Sequence, residues 1–151
     1  MNIKSSLLVL TALLGVSTSL FAFPCYITIV KDSCWTNYNV KVDVIDAENE
    51  IVLTSINIPK GSGWSRKSFD AHPKQRIMLR AQFSPNFWDK NQDKYYYATR
   101  YWALPDEIVG DTMAWNVGAC YPKNFSSVPL PPDATNNCQC DNREIPQVQP
   151  E

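Results

Sequence analysis

Apolar and polar residues alternate along most of the chain with the two-residue period of a half-buried strand. Val40, Val42 and Val44 alternate with Lys41 and Asp43, Ile51 to Ile58 returns after the polar stretch Asp46 to Glu50, and residues 38–58 therefore predict a hairpin. Tyr26-Ile-Thr-Ile-Val30 is β-branched and aromatic, which predicts an earlier strand. Pro59-Lys-Gly-Ser-Gly63 predicts a turn, and Trp64 to Phe69 a short strand after it. Ile77, Leu79, Ala81 and Phe83 share the inward face of a strand from Arg76 to Phe83. An aromatic-rich strand is expected from Tyr95 to Trp102, and a last one over residues 112–121. In that last strand Met113, Trp115 and Val117 share one face, and Ala114, Asn116, Gly118 and Cys120 the other. The pattern predicts an all-β fold, an antiparallel immunoglobulin-like β-sandwich of about seven strands, with a small barrel as the alternative. Cys34 and Trp35 are adjacent, which is not the antibody spacing.

The two ends break this pattern. Residues 1–22 hold one cation, Lys4, then an apolar run from Leu7 to Val16, then small and polar residues. A run of that length is too short for a bilayer anchor, which needs about 20 residues. It predicts a signal peptide cleaved near Ala22, with Ser19 as the alternative site, and a periplasmic or secreted protein with no membrane span. Phe23 and Pro24 precede Cys25, where lipoprotein processing wants a small residue in an extended chain, so Cys25 is expected not to be lipidated. The body of the fold is assigned to residues 23–121. Residues 122–151 carry Pro122, Pro129, Pro131, Pro132, Pro146 and Pro150 and cannot build a strand ladder. They predict a loose tail or an extended strap, and the cysteines favour a strap to about Cys140 with a mobile end after it.

Export makes disulfides the default for the five cysteines Cys25, Cys34, Cys120, Cys138 and Cys140, one of which must stay unpaired within the chain. Cys138 and Cys140 lie two residues apart and are expected to reach separate partners. The small outer face carrying Gly118 and Cys120 suits a covering segment, which favours Cys120 bonded to Cys138 or Cys140. Cys25 with Cys34, across a turn at Lys31 to Ser33, is the second expected bridge.

Charge adds little: the formal net charge is −1, and loss of Lys4 makes it one unit more negative. That argues against a nucleic-acid or polybasic membrane binder. The sole histidine, His72, sits in a turn sequence, so neither a zinc site nor a catalytic triad is expected. Gly61-Ser-Gly-Trp-Ser65 lacks the second glycine of a nucleophile elbow. Asp89, Asn91 and Asp93 have the spacing of a calcium loop, but Lys94 and Arg100 occupy its glycine and glutamate positions. Glu48 and Glu50 fall in a hairpin turn. No cofactor, no metal and no enzyme activity are expected.

One feature points to function. Phe87, Trp88, Tyr95, Tyr96, Tyr97, Tyr101 and Trp102 cluster in sequence, and three consecutive tyrosines in a strand place rings on both faces. Unless the strap covers them, Tyr95, Tyr97, Trp102 and Trp88 offer a binding surface for a protein partner or for a sugar.

The opener Phe23-Pro-Cys-Tyr-Ile-Thr-Ile-Val-Lys-Asp-Ser-Cys-Trp35, together with Phe83-Ser-Pro85, Tyr101-Trp-Ala-Leu-Pro105, Ala114-Trp-Asn116 and Cys120-Tyr-Pro122, resembles a family of small exported proteins of unknown function from intracellular gammaproteobacteria. The resemblance covers most of residues 23–151 and carries no catalytic residues. Such bacteria depend on type IV secretion, so it implies an accessory envelope role in a secretion system.

Overall fold

The computed structural model describes residues 22–88, 92–106 and 114–147. The predicted signal peptide lies outside them apart from Ala22, as do Asp89, Asn91, Thr112 and Met113. Among the described residues eight strands form: β1 (Phe23–Lys31), β2 (Asn39–Asp46), β3 (Val52–Ile58), β4 (Trp64–Ala71), β5 (Arg76–Ser84), β6 (Tyr96–Tyr97), β7 (Trp102–Ala103) and β8 (Trp115–Tyr121). They make two sheets packed as a sandwich, one ordered β4-β1-β8 and the other β3-β2-β5-β6 with β7 also on β5. The all-β fold expected from the alternation is the observed one.

Each sheet buries the face that the alternation selects. Ile27 and Ile29 of β1, Val40, Val42 and Val44 of β2, Ile56 and Ile58 of β3, and Ile77, Leu79, Ala81 and Phe83 of β5 point into one shared core. β8 adds Trp115, Val117, Ala119 and Tyr121. Between the sheets at one end sits Trp35, carried on the short 3-10 helix Ser33–Trp35 that joins β1 to β2. The Asp32 carboxylate caps this helix, accepting from the Cys34 N–H at 2.9 Å. Beside it Lys31 is buried, and its Nζ donates to the carbonyls of Tyr38 (2.7 Å) and Pro59 (2.9 Å). Burial pulls the Lys31 pKa down to about 8.

Three expectations are corrected. β1 and β8 run parallel, so the three-stranded sheet is mixed rather than antiparallel. The expected strand from Tyr95 to Trp102 is broken into β6 and β7, because Thr99 N leaves β5 to donate to Asn124 O at 2.9 Å. Cys25 does not pair with Cys34. It is in phase with Ile27 and Ile29 and points into the core as a free thiol.

The bridges are Cys34–Cys138 and Cys120–Cys140. They hold the proline-rich segment as a belt. From Phe125, which bridges to Ala98, it crosses the Trp35 end, where the Asp133 carboxylate accepts from the Tyr38 hydroxyl at 2.9 Å. Gln139 O then accepts from Ser33 N at 3.1 Å. After Cys140 the chain lies on the outer face of the β4-β1-β8 sheet, where Arg66 holds it: Nη2 donates to Pro146 O at 2.8 Å and Nε to Thr28 Oγ1 at 2.7 Å. Asn116, Gly118 and Cys120 of the small outer face line a cleft between the sheet and this segment, and Asn116 and Gly118 stay exposed.

Burial pushes the Cys25 thiol from the ordinary 9.0 up to about 12. The unfolded chain therefore loses this proton first as pH rises, and the stability Cys25 contributes, fully present below pH 9, is lost progressively up to about pH 12. Cys25→Ala is expected to flatten that alkaline loss, read as urea midpoints at pH 8 and pH 11. A slope unchanged by the substitution would contradict the buried, protonated thiol.

Candidate functional site

β5 presents Arg76, Met78, Arg80, Gln82 and Ser84 on the outer face of the four-position sheet, because their neighbours in sequence take the core. Antiparallel register sets Arg80 opposite Asp43 of β2 on one side and opposite Tyr97 of β6 on the other. The Asp43 carboxylate accepts from the Ser55 hydroxyl at 2.6 Å and from Arg80 Nε at 2.9 Å, with Lys41 Nζ 3.7 Å away. Burial alone would raise the Asp43 pKa. The hydrogen bonds from Ser55 and Arg80, then the charges of Lys41 and Arg80, more than offset it and hold the carboxyl below its ordinary range. Arg80 is thereby tied to Asp43, and its guanidinium lies 4.1 Å from the centroid of the Tyr95 ring. Further along, Arg76 covers the Tyr101 ring at 5.2 Å.

The structure brings together two of the four predicted binding aromatics. Tyr95 is 36% exposed and Tyr97 45%, and both flank Arg80. Trp102 is opposite Ile77, on the core side of the same sheet, and is half-buried. Trp88 is 53% exposed and packs edge-on to Phe87, in the aromatic group around Trp35. A single four-ring surface is thus not formed: strand parity sends Trp102 to the other face, and Trp88 belongs to another end of the sandwich. Tyr96 is buried, as a middle tyrosine must be when its two neighbours face out.

The partners of those rings were missed by sequence reasoning. Arg76 and Arg80 lie at alternate outward positions of a strand whose inward face is plain, so their presence on the tyrosine face was readable once the neighbouring strand was known.

Of the clefts among the described residues, one lies on this sheet and another beneath the belt. The first, of about 420 Å³, opens on the same outer face, lined by Asn39, Lys41, Asn57, Gln82, Asn86 and Lys94. The other, of about 440 Å³, lies between the belt and the opposite sheet, lined by Thr28, Arg66, Asn116, Asn124, Asn142 and Ile145. His72 and Asp70 are exposed at the end of β4, with His72 Nδ1 3.2 Å from Pro73 O. Glu48 and Glu50 are exposed in the β2–β3 turn. An Asp32 carboxylate oxygen lies near the sulfurs of Cys34 and Cys138, but those sulfurs are bonded to each other and provide no thiolate for a metal. Among the described residues no helix is long and apolar enough to cross a membrane. No protein-family model, no curated protein and no solved structure matches the chain.

Proposed function

We propose that this is an exported, non-enzymatic binding protein that engages a protein partner through the outer face of the β3-β2-β5-β6 sheet. The observation that carries the reading is the group Tyr95, Arg80 and Tyr97, two half-exposed tyrosines flanking an arginine held rigid by Asp43. Tyrosine and arginine are the residues enriched at interface anchors, and a fixed guanidinium loses little freedom on binding. Two disulfides support an oxidising compartment, and export through residues 1–22, without lipid on Cys25, belongs to the same proposal. An accessory role in a bacterial secretion system is the form that the family resemblance favours.

The test compares envelope-protein capture by the wild-type chain and by Tyr95→Ala/Tyr97→Ala. The partner is expected to bind the double variant about thirty-fold more weakly, the loss of about 2 kcal/mol that marks an anchor. An identical set of captured proteins at identical affinity would end this reading.

A second reading, carbohydrate binding, is favoured by the amide-lined cleft on this face, where Asn57, Gln82 and Asn86 offer paired donors and acceptors for hydroxyl groups. Against it, the guanidinium of Arg80 already occupies one face of the Tyr95 ring, and that of Arg76 one face of Tyr101. Saturable glycan binding lost on Tyr97→Ala would choose this reading over the first.

A further inference from the structure

The β4-β1-β8 sheet ends at β8. Asp32 N donates to Tyr121 O at 2.9 Å, so Tyr121, and with it Ala119, Val117 and Trp115, direct their main-chain groups toward β1. Cys120 directs its groups the other way: its N–H donates to Asn124 Oδ1 at 2.7 Å, and its carbonyl accepts from Asn124 N at 2.9 Å. The same alternation sends the N–H and C=O groups of Asn116 and Gly118 outward, where none of the described residues bonds them. Among the described residues Asn124 thus closes the edge at Cys120, and none closes it beyond. Both Asn116 and Gly118 are exposed.

Exposed sheet edges are ordinarily blunted by charges, prolines or bulges. The opposite edge strand, β4, carries Arg66, Lys67 and Asp70. β8 reads Trp115-Asn-Val-Gly-Ala-Cys-Tyr121 and carries none of these devices.

The other sheet is wider on this side. The turn from Pro59 to Gly63 puts β3 and β4 on a common flank, so β6 and β7 reach past β8 on the far one. There Trp102 faces the core side, yet stays half-exposed. A strand added beside β8 would lie over Trp102, with alternate residues packed on the ring and the others in water. The overhang also selects the occupant. A second copy paired β8 to β8 about a two-fold axis would place its own β5 where β6 and β7 already lie, whereas a lone strand meets no such obstacle.

We infer that the Asn116–Gly118 edge of β8 takes one extended segment of another polypeptide, apolar at alternate positions, by strand addition. This site is separate from the tyrosine face and stands or falls independently of it.

A phage-displayed library of random twelve-residue peptides, panned on the disulfide-intact wild-type protein, tests it. Peptides alternating apolar and polar residues are expected to emerge. Their binding is expected to fall at least ten-fold on Gly118→Pro, which removes an outward donor and no internal bond. Asn116→Pro is the second variant should the first not fold, with circular dichroism and thiol counts as the check. N-methylation of alternate peptide amides, which keeps every side chain, is expected to weaken binding by a similar factor. No enriched peptide, enrichment without alternation, or binding unchanged by both proline variants and by N-methylation would overturn the inference. So would a wild-type dimer in sedimentation that Gly118→Pro dissociates.

Discussion

Replacing Cys34 and Cys138 together by serine is expected to lower stability by about 4.7 kcal/mol, the loop-closure value for a span near a hundred residues. The separation is 104 residues, against 20 for Cys120–Cys140. Freeing the second bridge by the equivalent double substitution is expected to cost about 3 kcal/mol. The first pair also anchors the belt over the Trp35 end. Without it the bonds from Ser33 N to Gln139 O and from the Tyr38 hydroxyl to Asp133 have no fixed frame. Thermal midpoints should therefore fall by roughly 15 °C for the first double variant and clearly less for the second. Equal losses would mean that the long-range bridge adds nothing beyond a local staple.

Trp35→Ala is expected to destabilise by about 4 kcal/mol, near the middle of the range for a buried large aromatic. Trp35 is fully buried, and its ring meets Tyr38 at 5.3 Å, Phe83 at 4.9 Å, Phe87 at 6.1 Å and Tyr121 at 4.9 Å. It joins β5 of one sheet to β8 of the other, so its removal loosens the sandwich rather than one strand. Trp35→Phe should cost far less. It keeps an aromatic ring in place, and the indole Nε1 it deletes has no hydrogen-bond partner among the described residues. Urea denaturation of the two variants makes the comparison, and a Trp35→Ala loss below about 1 kcal/mol would show that the site repacks.

Alternation carried most of the fold. β2, β3 and β5 appear where the period of two places them, with Val40, Val42 and Val44 of β2 and Ile77, Leu79, Ala81 and Phe83 of β5 inward, because each strand has one face in the core and one in water. The same rule is silent about which neighbour a strand takes and in which direction, so the parallel β1–β8 pair was not readable from it. It also gives no warning where a strand breaks. Tyr95 to Trp102 looks continuous, but the chain between β6 and β7 is drawn away by Asn124, far along the sequence.

Cys25 is the instructive case. Its phase with Ile27 and Ile29 already pointed it inward, away from any partner across the turn, yet closeness in sequence suggested Cys34. Periodicity was the better guide than proximity. At the candidate site the tyrosines were visible in the sequence and their arginine partners were not, since pairing across strands depends on the register of β5 with β6.

The connectivity of the bridges bears on how the chain can mature. Synthesis delivers the N-terminus first, so Cys25 and Cys34 emerge long before Cys138 and Cys140. An oxidant joining cysteines in order of appearance would give Cys25–Cys34 and Cys120–Cys138, and neither bond exists in the fold. The correct pairs need either a disulfide isomerase or a β1 strand that shelters Cys25 before oxidation begins. Burial of Cys25 in the core, where it has no partner, is the second of these routes, because it withdraws the thiol from the first mispairing.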